Sequence, residues 1–229
     1  MRVRPVNVDD ALEISRTGDI WLFRGRSGPD RAIQTLTNSP VNHVGMIVAL
    51  DDLPPLMWHA ELGASLEDMW TGRRQRGVQL HDARQAIDQW TGRYEQRCWF
   101  RQLLSSITVE QEDRLLETIA RMNGVDFPHT MRLLGRWLRG RVQLPGRGAG
   151  RLPDEGDEEQ AGGARRLESA YCAEVVAVTY EAMGLLETRK TTNWYDPGRF
   201  WSGDSLPLAP DVELGREIPV ALPDPSRST

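Results

Sequence analysis

Short apolar stretches separated by turn residues dominate the first half of the chain and predict strands. Residues 19–24 alternate polar and apolar side chains, as a strand with one buried face does. Residues 43–50, HVGMIVAL, are almost continuously apolar, which favours a strand covered on both faces. The runs at 56–61, 77–82 and 95–104 predict three more strands. We expect strands that follow one another to pair in an antiparallel sheet.

Helical spacing marks other parts of the chain. Residues 109–122 follow Thr108, a good N-cap, and carry acidic residues in their first turn. A shorter helix is predicted around 83–90. Residues 171–185 have apolar side chains at helical spacing, so Cys172 lies in the first turn of that helix. The combination of strands and helices predicts a mixed α+β fold.

Three segments have a different character. Residues 127–138 predict an amphipathic helix with its arginines clustered opposite an apolar arc. Its ordinary interpretation is a helix packed on the core, and the alternative is a lid or a contact with a membrane surface. Residues 141–168 are rich in glycine and acidic side chains and predict a mobile insertion. Residues 219–229 are interpreted as a tail.

Length, composition and charge narrow the class of protein. The chain has 229 residues, of which 39% are apolar and 27% charged, so a single domain over 1–229 can bury a core, placed at about 18–190. A net charge of −5 argues against nucleic-acid binding, which requires a dominant basic field. No apolar run approaches the ~18 residues of a spanning helix, and no secretory signal begins the chain. We therefore expect a cytoplasmic protein.

The two cysteines are too few for a disulfide framework, so each is expected to be a thiol. In the first turn of its helix, Cys172 experiences the partial positive charge of unpaired N–H groups, which favours the thiolate. The same N–H groups could bind an oxyanion. The alternative is a small buried apolar residue on a core helix. Cys98, in the middle of a predicted strand beside Trp99, is expected to serve packing.

A thiolate nucleophile needs a base, and His43 stands at the leading end of a buried strand. Alone, such a histidine is more often structural. Glu61 ends the next predicted strand, where antiparallel pairing could bring it beside His43 to accept from the other ring nitrogen. His59 shares a face with Glu61 and is the rival for this role. We prefer Glu61 because a carboxylate stabilises imidazolium directly.

Metal and phosphate motifs are absent from the sequence. The histidines and cysteines show no paired-ligand spacing such as CxxC or HExxH. No phosphate-binding glycine loop with a lysine is present either, since Lys190 is the only lysine. We therefore expect neither a metal nor a cofactor.

Four fragments in a particular order resemble a known family. They are GDIWLFRG at 18–25, SPVNHVGMIV at 39–48, the strand ending in Glu61 with GVQL at 77–80, and YCAEVVAVTYEAMGLL at 171–186. The histidine strand precedes the cysteine helix, as in the circularly permuted branch of the NlpC-type papain-like cysteine peptidase superfamily, the YiiX and YaeF-like proteins. Unpermuted members have the opposite order. The resemblance covers roughly residues 18–190.

The resemblance implies a fold and an activity. The fold is papain-like, with an antiparallel sheet packed against the helix that carries the cysteine. Cys172 would be the nucleophile, His43 the general base and Glu61 the orienting residue. The substrate would be peptide-like or acyl-bearing, with an amide bond hydrolysed through a thioester acyl-enzyme. Two alternatives remain: a lipid-directed acyltransferase or thioesterase of the lecithin:retinol acyltransferase type, and a catalytically silent binding module.

Overall fold

The computed structural model describes residues 4–25, 39–61, 63–125, 171–187, 190, 194–203 and 206–222. The predicted amphipathic helix at 127–138 and the predicted insertion at 141–168 lie outside the described residues. Both interpretations of that helix, packing on the core and the alternative of a membrane contact, therefore stay predictions.

A seven-stranded sheet forms the centre of the described structure. Its strands are β1 (Val6–Asn7), β2 (Ile20–Arg24), β3 (His43–Val48), β4 (Leu56–Glu61), β5 (Gly77–Asp82), β6 (Arg97–Arg101) and β7 (Ile218–Ala221). They lie in the order β1-β7-β6-β2-β3-β4-β5. Every neighbouring pair is antiparallel except β1 and β7, which run parallel. The chain therefore has a mixed α+β fold whose sheet departs from the antiparallel prediction only at one edge.

The described helices are α1 (Val8–Glu13), α2 (Ala83–Asp88), α3 (Val109–Met122) and α4, over residues 171–182. A π-helical segment, Gln89–Arg93, continues α2, and a 3-10 turn spans Pro197–Phe200. The predicted N-cap Thr108 begins α3 with a capping box, in which its hydroxyl accepts from the Gln111 N–H at 3.3 Å. None of the helices within the described ranges has the length and apolar character to cross a membrane.

The two faces of the sheet bury two separate apolar clusters. One cluster joins the side chains of Val44, Met46 and Val48 to residues of α3 and α4, including Cys172, and we call this side the α4 face. The other joins Ile47 of β3 to residues of α1 and α2, and we call it the α2 face. Because side chains alternate along a strand, His43 and Val44 point to opposite faces.

Two hydrogen bonds fasten α4 to the sheet. Trp58 Nε1 donates to Thr179 Oγ1 at 3.0 Å, and the Tyr180 hydroxyl donates to the carbonyl of Gly18. Both lie toward the end of the sheet where β2 begins and β3 ends. Cys172 precedes Thr179 by seven residues, about 10 Å along a helix, and is fully buried in the same cluster.

The interpretation of 219–229 as a tail is wrong for its first residues. Pro219 pairs with Trp99 of β6, and Val220 pairs with Val6 of β1. A proline cannot donate to a strand ladder and normally argues against a strand, so the residue pattern predicts no strand here. The chain nevertheless inserts these residues between β6 and β1.

Candidate functional site: a buried histidine relay

Adjacent strands place several polar side chains on the α2 face. In the β4–β5 register, Met57 pairs with His81, His59 with Gln79 and Glu61 with Gly77. Paired residues and residues two apart share a face, so this register gathers His59, Glu61, Gln79 and His81. His43 pairs with Phe23 of β2, which belongs to the α2-face cluster. All five polar residues are buried, with at most 1% of each exposed to solvent.

Three histidines and a glutamine form a continuous hydrogen-bonded chain, which we call the histidine relay. His43 Nε2 lies 3.1 Å from His59 Nδ1, and His59 Nε2 lies 2.9 Å from His81 Nδ1. His81 Nε2 lies 3.0 Å from Gln79 Oε1, while the amide nitrogen of Gln79 donates to the Gly77 carbonyl at 3.5 Å. The relay therefore runs across β3, β4 and β5.

The hydrogen bonds of the relay fix the tautomer of each neutral ring. Gln79 Oε1 can only accept, so His81 carries its proton on Nε2 and accepts through Nδ1. His59 must then donate from Nε2, and His43 must donate from its own Nε2 to His59 Nδ1. This leaves a lone pair on His43 Nδ1. That atom is buried and has no hydrogen-bond partner among the described residues.

Burial keeps the relay uncharged at neutral pH. It lowers the pKa of His43 well below the ordinary value of 6.5. The pKa of His59 is also lowered well below that value, first by burial and then by the charges of His81 and His43. Burial lowers the pKa of His81 to about 4, against a smaller opposing effect of Asp68. The neutral tautomers are therefore the relevant ones.

Glu61 lies beside the relay with one oxygen bonded and the other not. Its Oε1 accepts from the Tyr94 hydroxyl at 2.9 Å and from the Gln89 amide. Its Oε2 is buried without a hydrogen-bond partner among the described residues, 3.7 Å from His81 Nδ1. Burial raises the pKa of Glu61, and the bonds from Tyr94 and Gln89 act against that rise. Because His81 is neutral, the 3.7 Å contact is not an ion pair at neutral pH.

The π-helical segment covers the site. It places Trp90 in a parallel stack on His43, with ring centroids 3.7 Å apart and planes at 9°. It also places Gln89 on Glu61. Segments of π-helix recur at functional sites, because the extra residue per turn redirects side chains. A cleft of about 340 Å³ lies elsewhere, lined by Arg16, Thr17, Ala49, Leu103, Ser105, Ser106, Ile107 and Glu112.

The structure brings two of the three predicted site residues together. His43 and Glu61 share the α2 face, but the residue bonded to His43 is His59, the rival in the sequence analysis. Cys172 belongs to the α4-face cluster, and no hydrogen bond of the described structure joins it to His43. Glu61 was expected to accept a hydrogen bond from His43. Its Oε1 accepts from the Tyr94 hydroxyl instead.

Several site residues did not stand out in the sequence. His81 and Gln79 were only part of a strand signal, and Gln89 and Tyr94 fell in or beside a predicted helix. The alternation of polar residues in WHAE and QLHD was the available signal, since His59 and Glu61, like Gln79 and His81, are two apart. The register of β4 against β5 is what brings the two pairs together.

No protein-family model and no curated protein matches the chain. Among solved structures it is similar to the metalloprotein YiiX from Escherichia coli O157:H7, with 20% sequence identity and a TM-score of 0.45. The match covers 91% of this chain and 99% of that protein.

Proposed function

We propose that the chain is a cysteine-dependent hydrolase of an amide bond in a peptide, isopeptide or peptidoglycan-like substrate. Cys172 would be the nucleophile, His43 the general base and His59 the residue that orients the base. The observation that carries the proposal is the lone pair on His43 Nδ1, buried and unpartnered at the end of the relay.

A general base has to be neutral and has to present its lone pair in a fixed direction. Burial keeps the His43 ring neutral by lowering its pKa. The bond to His59 Nδ1 at 3.1 Å holds the ring proton on Nε2, and the stack on Trp90 fixes the ring plane. The acceptor of a catalytic triad acts in the same way, by selecting the tautomer of the histidine. His43 therefore has the properties of a prepared base.

The position of Cys172 makes it the candidate partner of this base. It is the second residue of the described part of α4, and its side chain is fully buried in the cluster on the α4 face of β3, whose first residue is His43. Catalytic hydrogen bonds are often long or misaligned without substrate and tighten when it binds. The proposed reaction requires Cys172 Sγ to come within hydrogen-bonding distance of His43 Nδ1 around the start of β3.

The chemical steps balance with these groups alone. The Cys172 thiol proton moves to His43 Nδ1 as Sγ bonds to the carbonyl carbon. The C–N bond then breaks, and His43 returns the proton to the leaving amine. A water molecule attacks the thioester, gives a proton to His43 and releases the acid, and Cys172 regains its thiol proton. His59 accepts from His43 throughout and stabilises the imidazolium through its own Nδ1.

Acyl trapping tests the proposal. The protein is incubated with a panel of activated amide and ester probes, and the adducts are located by mass spectrometry. We expect an acyl group on Cys172, its loss in Cys172→Ser and His43→Gln, and its retention in the control Cys98→Ser. The absence of any adduct on Cys172 under all probes would support the catalytically silent binding module instead.

A further inference from the structure

We propose that His59, Glu61 and His81 form a binding site for a divalent transition-metal ion. One ligand atom from each residue lies within 4.8 Å of the other two. The converging atoms are His59 Nε2 and His81 Nδ1, 2.9 Å apart, and Glu61 Oε2, 3.7 Å from His81 Nδ1. Two imidazoles and a carboxylate are a ligand set that zinc and its neighbours in the first transition row accept.

The spacing suits metal bonds of ordinary length. Zinc lies about 2.0–2.2 Å from imidazole nitrogen and carboxylate oxygen, which puts neighbouring ligand atoms about 3.3–3.6 Å apart in a tetrahedral site. To reach this spacing the two histidine nitrogens would move slightly apart, and Glu61 Oε2 would move toward His59 Nε2, from which it now lies within 4.8 Å. A small rotation of these side chains would therefore close the site around an ion.

Each ligand residue also has its other heteroatom held in place. Metal-binding histidines and carboxylates normally use that second atom in a hydrogen bond that fixes the orientation of the ligand. The three supporting contacts are His59 Nδ1 to His43 Nε2 at 3.1 Å, His81 Nε2 to Gln79 Oε1 at 3.0 Å, and Glu61 Oε1 to Tyr94 at 2.9 Å. The described structure thus supplies both a ligand set and the shell that orients it.

The unpartnered oxygen of Glu61 is an independent reason for a cation here. Two acceptor atoms, His81 Nδ1 and Glu61 Oε2, converge in the buried interior, and the only ring proton between His59 and His81 is the one that His59 Nε2 donates. Glu61 Oε2 is buried with no donor in the described structure. A buried polar atom without a partner is unfavourable, and a cation at the centre would satisfy all three atoms together.

Metal binding would also reverse the relay, a consequence that rests on the proposed function. A metal on His59 Nε2 leaves that ring its single proton on Nδ1, which must then donate to His43 Nε2. His43 in turn keeps its single proton on Nδ1. Each ring still has one proton, but His43 no longer presents a lone pair there. The metal-loaded protein would therefore lack the base for Cys172.

The metal site is tested by titrating the metal-free full chain with Zn²⁺ in a calorimeter and with Co²⁺ in an absorption spectrometer. We expect one ion per chain and visible Co²⁺ bands from a site with nitrogen ligands. Glu61→Gln and His81→Ala should lose the binding, and Gln79→Ala should weaken it by about 10–100-fold. Glu181→Gln and Cys172→Ser serve as controls and should bind as the parent does. Circular dichroism and melting of the metal-free variants establish that each is folded.

Three outcomes would overturn the site: no stoichiometric binding by the parent protein, parent-like binding by folded Glu61→Gln, or loss of binding in Cys172→Ser. The effect on the relay is measured separately, as the rate of Cys172 alkylation with and without Zn²⁺ in the parent and in Glu61→Gln. We expect Zn²⁺ to slow the alkylation of Cys172 in the parent protein and not in Glu61→Gln. If Zn²⁺ binds but the alkylation rate of Cys172 does not change, the proposed reversal of the relay is wrong and the metal site still stands. If Cys172 of the metal-free parent protein does not react, the proposed hydrolase activity is wrong and the metal site still stands.

Discussion

His43 and His59 face each other across β3 and β4 with Nε2 and Nδ1 3.1 Å apart, and neither ring is exposed to solvent. The bond decides which nitrogen of His43 carries the proton. Because His59 is itself held by His81 at 2.9 Å, the direction of donation is set by the whole relay. The ring nitrogen of His59 therefore accepts the hydrogen bond from His43 that the Glu61 carboxylate was expected to accept.

Replacing His59 should remove the hydrogen bond that orients His43 and leave His43 itself in place. We expect His59→Ala to slow the alkylation of Cys172 by about 10-fold or more, because a well-positioned base contributes about 10²–10⁴-fold. His59→Gln should keep most of the rate, since an amide oxygen can still accept from His43 Nε2. The rates are measured by mass spectrometry of each thiol. Equal rates in His59→Ala and the parent protein would contradict the orienting role.

Asp19 should make the fold less stable as pH rises. Burial raises its pKa from 3.8 to about 6, against the N–H bonds from Arg16 and Leu103 and the charge of Arg16. Between those two values the folded chain holds a proton that the unfolded chain releases, so stability falls as pH rises through this window and is level above it. The fall attributable to Asp19 is about 3 kcal/mol.

Urea unfolding of the parent and of Asp19→Asn from pH 4 to pH 7 measures this effect. Subtracting the two curves cancels the contribution of other groups. We expect the difference to change across the window between the ordinary and the raised pKa of Asp19. Two parallel curves would show that Asp19 titrates normally in the folded protein.

The bond between Trp58 and Thr179 should stabilise the attachment of α4. Thr179→Val leaves the indole N–H of Trp58 buried without its partner at 3.0 Å, which costs about 1–3 kcal/mol. Thr118→Val is a matched control, since each threonine also donates to the carbonyl four residues earlier at 2.8 Å. The free energy of unfolding of the two variants gives the comparison. Equal losses would mean that the indole bond contributes nothing measurable.

Gly45 should be needed for the packing of the relay. A Cβ there would meet Met57 Cγ and Sδ at 2.9 Å and His59 Cβ at 3.5 Å. We expect Gly45→Ala to destabilise the fold by about 1–3 kcal/mol through overpacking. Gly92→Ala, where a Cβ meets nothing within 4 Å, is the control. Denaturant unfolding of both variants measures the free energy of unfolding. An unchanged value in Gly45→Ala would show that the Met57 side chain moves aside without destabilising the fold.

The elements that the sequence predicted well are those encoded locally. The bounds of α3 follow from Thr108 and the helical spacing after it, and β4 and β5 from short apolar runs between turn residues. The π-helical segment after α2 and the strand at Ile218–Ala221 were not predicted. Both depend on contacts with distant parts of the chain, which leave no periodic signal.

The site shows the same division. His43 and Glu61 were identified because each stands at the end of an apolar strand, and His59 was recognised as sharing a face with Glu61. Whether His59 or Glu61 accepts from His43 depends on the register of β3 with β4 and on Tyr94, whose hydroxyl donates to the Glu61 carboxylate. His81 enters the site only through the register of β4 with β5. Neither register can be read from residue spacing.

The central claim is that His43 activates Cys172, and the alkylation rates of the two cysteines test it most directly. Metal-free protein is treated with iodoacetamide at neutral pH, and each thiol is quantified by mass spectrometry in the parent and in His43→Gln. Cys98 is the internal reference, because burial raises its pKa to about 12. We predict that Cys172 reacts faster than Cys98 and that His43→Gln removes most of the difference. Equal rates for the two thiols, or a Cys172 rate unchanged in His43→Gln, would contradict the account.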